Sequence, residues 1–349
     1  MSRTQVRGPR RGKARRRRSQ LHIEGDIMKI LLTGYSGNLG KAVAPHLLAQ
    51  GHQLRVLLHG AVLNRKDLPP NMEIIWGSLA RPAIADEITR GVDAVVHSAW
   101  DGRGAADGSM ERMNLGGTMQ LLEAAERNGV ATFIHISSVS VYGLGHSLWG
   151  KTIDENQPFV AKEDSLNAYP WTKVLIENEL QKRQAGLRMN LAIIRPGLLF
   201  SESKAPAKKL IAKKRRSYGL LVGKAKNHLP YVHVDDVAEM ISLLLAKPPK
   251  YAVYNAVPTS CLSVRDFLKR WGRHGGREIA VIRLAPVMLR MMNRGVGQLK
   301  KVLGRPGGAD VNYQIMTGIR DIRYSADKAV KELGWLDRRT NEIASNGAL

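Results

Sequence analysis

The sequence predicts an α/β protein, a doubly wound parallel sheet joined to a smaller C-terminal lobe. Three observations carry this. An apolar run at residues 30–32 enters a turn spaced by Gly34, Gly37 and Gly40, then leaves as a helix-like segment. Short apolar runs then alternate with segments of helical spacing as far as residue 194. The 349 residues suffice to bury a core under both faces of such a sheet.

The elements follow in order. A strand at 30–32 and a helix at 41–50 form the first unit, which ends near Gly51. Strands are expected at 54–58 and 73–76, a short helix at 84–90 and a strand at 93–97. Residues 113–128 have helical spacing, with Met113, Leu121, Leu122 and Ala125 on the buried side. A strand at 132–136, a long helix at 169–185 and a strand at 190–194 complete the alternation. Strands apolar on both faces, separated by helices, imply a parallel sheet covered on both sides.

The pattern changes after Phe200. Residues 205–216 read as a basic amphipathic helix, with Leu210 and Ile211 on its apolar side. A strand at 231–234, a helix at 235–245 and a strand at 251–257 follow. Helices are expected at 264–271, 285–303 and 326–333, the last stopped by Gly334. The expected organisation is a basic arm at 1–27, a nucleotide-binding core at 28–200, a lobe at 201–337 that returns some elements to the core, and a tail at 338–349. The arm is Arg- and Gly-rich without apolar period, which reads as disorder. Met28 stands just before the first strand, so translation from Met28 is an equal reading.

Composition narrows the function classes. The formal charge is +24, and nine Lys or Arg lie in residues 1–28. Residues 204–226 hold nine more without an acid. Such a surface favours anions but does not choose among them. Nucleic-acid binding by the arm is not favoured, since it lacks interleaved aromatics and a recognition motif. The single cysteine, Cys261, excludes an intrachain disulfide. No apolar run reaches spanning length and no secretory pattern is visible, so a cytoplasmic protein without integral membrane association is expected. His22, His46, His52 and His146 show no metal-ligand spacing, and no metal is expected.

The glycine turn reads as a phosphate site. Gly34 permits the tight turn, Gly37 lets backbone approach a pyrophosphate, and Gly40 lets the helix pack close to the sheet. The helix N-terminus then faces the negative charge. Tyr169 and Lys173 stand four apart on one helix face. A phenol, with an ordinary pKa of about 10, is a poor base at neutral pH. A neighbouring ammonium and a cationic nicotinamide both favour its phenolate. Tyr169 can then exchange a proton with a substrate hydroxyl or carbonyl oxygen, Ser138 can hold that oxygen, and Lys173 can also reach the nicotinamide ribose. Asp235 and Asp236 read as helix-capping and packing groups. Trp100 reads equally as a residue lining the substrate cleft or as an ordinary packed aromatic.

These motifs together resemble the extended short-chain dehydrogenase/reductase family, the NAD-dependent epimerases and dehydratases. The resemblance runs through TGYSGNLG, DAVVHSAW, Asn114 with Gly117 and Thr118, HISSVSVYG, DENQPF, YPWTK, RPG, YVHVDDVA and YSADKAVKELGW, and covers about residues 29–337. It implies a Rossmann core, NAD or NADP, and a catalytic group of Ser138, Tyr169 and Lys173. On the cofactor side it implies Gly34, Ser36, Gly37, Asn38, Leu39, Gly40, Ser78, Leu79, Ser98, Ala99, Asn114, Ser137, Pro196 and Gly197, beside Tyr169 and Lys173. It also implies a small-molecule substrate bearing a secondary alcohol or carbonyl, nucleotide sugars included, and a homodimer paired through the Tyr169 helix. A non-catalytic NAD(P) sensor is the alternative.

Three departures stand out. His59 occupies the place of the acid expected at the end of the second strand, and Arg65 and Lys66 follow, which gives NADP a slight edge. Ser78 stands where the family often has an aspartate beside adenine. Val139 and Ser140 follow Ser138 where sugar dehydratases often carry Asp-Glu, which disfavours elimination of water and leaves epimerisation or simple redox.

Overall fold

The computed structural model describes residues 26–59, 69, 72–102, 108–165, 167–201, 218–222, 226–260, 262–274, 280–285, 287–288, 291 and 320–345. In chain order the first elements are β1 (Lys29–Thr33), α1 (Asn38–Ala49), β2 (Gln53–Leu58), β3 (Met72–Trp76), α2 (Pro82–Thr89), β4 (Ala94–His97), α3 (Ser109–Arg127) and β5 (Thr132–Ile136). A 3-10 turn (Val139–Tyr142) and β6 (Thr152–Ile153) lead to α4 (Ala168–Arg183), β7 (Asn190–Pro196), β8 (Leu198–Phe200), β9 (Tyr218–Val222), β10 (Tyr231–His233) and α5 (Val234–Ala246). The chain continues as β11 (Tyr251–Ala256), α6 (Val264–His274), β12 (Ala280–Leu284), β13 (Arg323–Tyr324), α7 (Asp327–Leu333) and α8 (Arg338–Ser345).

Among the described residues, seven parallel strands form one sheet in the order β11-β7-β5-β4-β1-β2-β3. The chain winds outward from β1 to β3, then back through β4 to the opposite edge. The order therefore reverses between β1 and β4, where Thr33 stands in register with His97. Such a reversal opens a crevice at the C-terminal ends of the strands.

Alternation along β1 explains the layering. Ile30 and Leu32 enter a core shared with Val43 and Leu47 of α1 and Ile241 of α5. Leu31 points to the other face and packs with Leu122 of α3 and Ile176 of α4. A smaller core joins Phe200, Tyr231, Phe267 and Ile343, which ties the C-terminal elements together. β11 and α5 belong to the sheet and its cover although they follow Phe200 in sequence.

Several expectations shift in detail. α1 starts at Asn38, because the last residues of the glycine turn already form its first turn. α3 starts at Ser109, behind Gly108 at φ 72°. Met110 then takes the buried position, and Met113, expected inside, is 36% exposed and faces the crevice. Residues 338–345, expected within a tail, form α8, with Thr340, Ile343 and Ala344 buried. Asp236 anchors it: its carboxylate accepts from the backbone N–H of Arg339 and of Thr340, each at 2.8 Å. The strand pair β9–β12 has no counterpart among the expected elements. The expected helix at 205–216 and most of that at 285–303 lie outside the described residues.

Candidate active site

The crevice is built from the chain reversal upward. Gly34 follows β1 at φ 77°, a left-handed conformation that favours glycine. A Cβ there would lie 2.6 Å from the Ser98 carbonyl and 2.7 Å from the Ala99 nitrogen. A Cβ on Gly40 would lie 2.3 Å from the Gly34 oxygen. Gly37 N–H donates to that same oxygen at 3.0 Å. Side chains are thus excluded from the turn, and α1 begins against bare backbone. Gly37 stands at the N-cap with no side chain capping the helix, so the first amides of α1 are left for a ligand. Asn38 adds a buried Nδ2 without a hydrogen-bond partner.

An open cleft of about 370 Å³ starts at this turn. Gly34, Ser36, His59, Ser78, Leu79, Ala99 and Asn114 line it, as do Trp100 and Asp101. His59 is exposed at the end of β2. Ser78 Oγ accepts from Ala80 N–H at 3.2 Å and shapes its own turn. Asn114 is nearly saturated. Its Oδ1 accepts from Asp101 N–H at 2.9 Å, and its Nδ2 donates to the Asp101 and Met110 carbonyls at 2.8 and 2.7 Å. Asn114 therefore pins the loop after β4. Leu39 lies in the core, so its side chain is turned from the cleft. Ser98 meets the cleft through the backbone beside Gly34. Arg65 lies outside the described residues.

A glycine cradle, an uncapped helix start, an orphaned amide donor and a cleft at the sheet's reversal point suit a dinucleotide. The residues present fit NAD or NADP.

At the other end of the cleft stands α4. Asn167 caps it by accepting from Tyr169 N–H at 3.1 Å, which puts Tyr169 in the first turn and Lys173 one turn on. Lys173 is 4% exposed, and its ammonium donates to the Ile136 carbonyl at 2.7 Å. It also lies 4.6 Å above the Trp100 ring. Burial pulls its pKa down to about 7, and the carboxylate of Glu177 opposes that fall. The Tyr169 ring meets Trp100 edge-on at 4.8 Å. Trp100 thus links the cleft to both α4 residues while packing against the core.

Ser138 follows β5 and caps the 3-10 turn, its Oγ accepting from Ser140 N–H at 3.1 Å. Its hydroxyl proton is left to donate elsewhere. Ser138 faces a second pocket, lined also by Val139, Leu144, Leu198, His228 and Arg320. Gly197 lies on this pocket, with room for no Cβ beside the Pro230 carbonyl. Pro196 is buried just before it at the end of β7.

Ser137 turns away from both openings. Its hydroxyl donates to Glu177 in a buried network. Arg195 grips Glu177 at 2.6 Å and donates to the Tyr142 hydroxyl at 2.7 Å, which donates to Asn255 Oδ1 at 2.7 Å. Burial alone would lower Arg195, but Glu177 holds its pKa above the ordinary value. Sequence reasoning did not assign this network, although Arg195 stands in the RPG motif and Glu177 lies one turn beyond Lys173. His97 is likewise held, between Thr33 Oγ1 at 2.8 Å and Thr118 Oγ1 at 2.9 Å. Burial, helped by the Lys173 charge, brings its pKa down to about 3, so it is neutral. Among the described residues no cluster of His, Cys, Asp and Glu could hold a metal, and no helix is long and apolar enough to cross a membrane.

The family model for the NAD-dependent epimerase/dehydratase family matches residues 30–256. The chain is 29% identical over 191 residues to the 3 beta-hydroxysteroid dehydrogenase/Delta 5-->4-isomerase of Mycobacterium tuberculosis, covering 52% of this chain and 50% of that protein. The chain thus spans about half the length of that relative. It is 24% identical over 318 residues to a 4-hydroxy-2-methyl-3-oxo-4-farnesyl-3,4-dihydroquinoline-1-oxide ketoreductase of Stigmatella aurantiaca, covering 90% of this chain and 94% of that one. Among solved structures, the UDP-glucose 4-epimerase of Thermotoga maritima superposes with a TM-score of 0.68 at 18% identity, over 91% of this chain and 96% of that one. That last likeness is one of fold.

Proposed function

The chain belongs to the NAD-dependent epimerase/dehydratase family and is an NAD(P)-dependent enzyme, and on that premise we propose that it interconverts a secondary alcohol and its carbonyl, with Ser138, Tyr169 and Lys173 as its catalytic group. One observation carries the reading. The α4 face that presents Tyr169 and Lys173 meets Trp100, a wall of the dinucleotide cleft, while Lys173 is fastened to the end of β5 beside Ser138.

The nicotinamide, when bound, supplies or takes the hydride. Everything else falls to the chain. Ser138 donates its free hydroxyl proton to the substrate oxygen and holds that oxygen toward Tyr169. Tyr169 gives that oxygen a proton as a carbonyl is reduced, or takes it as an alcohol is oxidised. Lys173 in its charged form stabilises the phenolate left behind. Trp100 favours the charged ammonium through its ring face and screens it from water.

Two of the relatives carry dehydrogenase or ketoreductase names, which supports simple redox. Val139 and Ser140 on the turn after Ser138 supply no carboxylate for elimination of water. The expected core and lobe boundaries, the homodimer and a cytoplasmic location belong to the same reading.

Titration with NADH and NADPH by nicotinamide fluorescence, followed by turnover of a ketone panel with wild type and Tyr169→Phe, tests it. Saturable binding with turnover lost in Tyr169→Phe is expected. Failure to bind either cofactor overturns the reading. Binding with turnover indifferent to Tyr169 removes the assigned catalytic group.

A further inference from the structure

The pocket beyond Ser138 holds a charge that the reaction just described does not use. Arg320 lines this pocket, and the residue is 8% exposed. Its Nε is buried without a hydrogen-bond partner. Its guanidinium lies 5.2 Å from the Trp149 ring centroid, and it forms no ion pair with a described residue. The adjacent carboxylate is engaged elsewhere: Asp321 accepts from His228 N–H at 2.9 Å, lies 2.8 Å from His228 Nδ1 and 4.0 Å from Arg323. An unpaired buried cation is costly, and an anion arriving in the pocket would remove that cost. Burial accordingly lowers the Arg320 pKa from its ordinary value.

Val139, Leu144, Leu198, Leu229 and Ile322 give the pocket a hydrocarbon side, while Ser140, Asp164, Ser165, His228 and Tyr324 also line it. A hexose presents hydroxyls on every side and leaves those that meet the hydrocarbon side without partners. An alkyl chain meets that side without such a loss. A guanidinium edge, with Nε and one Nη in a plane, matches a carboxylate bidentately.

We propose that the substrate is an oxo- or hydroxy-carboxylic acid with a hydrocarbon body, its carboxylate held by Arg320 and its reacting oxygen by Ser138. This rests on the redox reading above and narrows its substrate class. The chemistry balances: an oxo acid takes one hydride from NAD(P)H at its carbonyl carbon and one proton from Tyr169 at its oxygen, giving the hydroxy acid and NAD(P)+. Arg320 is a specificity residue and transfers nothing.

The test has a binding arm and a turnover arm, both on the full chain with NADPH or NADH present. Calorimetric titration compares octanoate with octanamide, and UDP serves as the nucleotide probe. Wild type should bind octanoate at least tenfold more tightly than octanamide. Arg320→Met should erase that preference and leave octanamide binding unchanged, and Arg320→Lys should restore part of it. Thermal melting of each variant shows that it is folded. Equal binding of acid and amide, or an acid preference that survives Arg320→Met in the folded variant, overturns the proposal. So does Arg320-dependent binding of UDP with no binding of octanoate. In the turnover arm, 3-oxooctanoate is set against 2-octanone. Reduction of both at equal kcat/KM overturns the carboxylate assignment and leaves the redox reading intact. Arg320-dependent binding of octanoate with no oxidation of NAD(P)H by either ketone overturns the redox reading and leaves the anion subsite standing.

Discussion

The buried ammonium of Lys173 donates to the backbone carbonyl of Ile136 at 2.7 Å and so fastens the helix of Tyr169 to the end of the strand that leads into Ser138. The two halves of the proposed catalytic group are therefore held by one bond. Burial takes the Lys173 pKa from 10.5 to about 7 in the folded chain. Between those values the unfolded chain keeps a proton that the folded chain has released, so this group makes stability rise with pH from about 7 to about 10. Urea unfolding of the cofactor-free protein at several pH values across that window, beside Lys173→Met, checks this. Wild type should gain on the variant by on the order of a few kcal/mol as pH rises. Parallel pH profiles would contradict it.

The glycine turn makes a second prediction. Gly34 and Gly51 both have positive φ, at 77° and 89°, but only Gly34 has backbone within 4 Å of a Cβ position. Ala at Gly51 should add only backbone strain, about 1 kcal/mol. Ala at Gly34 should cost more, about 2 kcal/mol or above, and should also abolish nicotinamide-cofactor binding. Chemical denaturation and fluorescence titration of both variants separate strain from the closed approach.

The Glu177–Arg195 pair lies wholly inside, at 0% and 2% side-chain exposure. Removing one partner strands the other charge. Arg195→Met should destabilise by about 3–5 kcal/mol. A double variant that also replaces Glu177 by Leu should recover much of that loss, read from denaturant midpoints. A double variant as unstable as the sum of its single variants would refute the stranded-charge account.

His59 faces the cleft at the end of β2, and no acid stands at that position. An acid there accepts from a ribose 2′-hydroxyl and repels a 2′-phosphate. His59→Asp should shift the ratio of NADPH to NADH affinity toward NADH by tenfold or more, by fluorescence titration. An unchanged ratio would show that His59 does not reach the ribose.

Much of this architecture was legible in residue order. β1, β2, β4, β5 and β7 are short apolar runs buried on both faces, so their positions followed from hydrophobicity, whereas the two-residue β6 carried no such signal. The turn from Gly34 to Gly40 carried its own signal, because three spaced glycines have few other uses. Helix starts were harder. α3 begins a full turn before its apolar period becomes visible, since Gly108 rather than a hydrophobic residue sets its start. The role of Trp100 depended on α4 packing across it, a contact 69 positions away in sequence that no local pattern encodes. The same holds for Arg320. In sequence it is one arginine in a basic region, and only its burial, with an Nε that lacks a hydrogen-bond partner, distinguishes it.

The proposed redox reaction itself is most directly tested by isotope transfer. Wild type incubated with a turned-over ketone and NAD(P)H deuterated at nicotinamide C4 should give an alcohol with one deuterium on its carbinol carbon, and Tyr169→Phe, with cofactor still bound, should give almost none. Product without that deuterium, or equal labelled product from Tyr169→Phe, would contradict the mechanism.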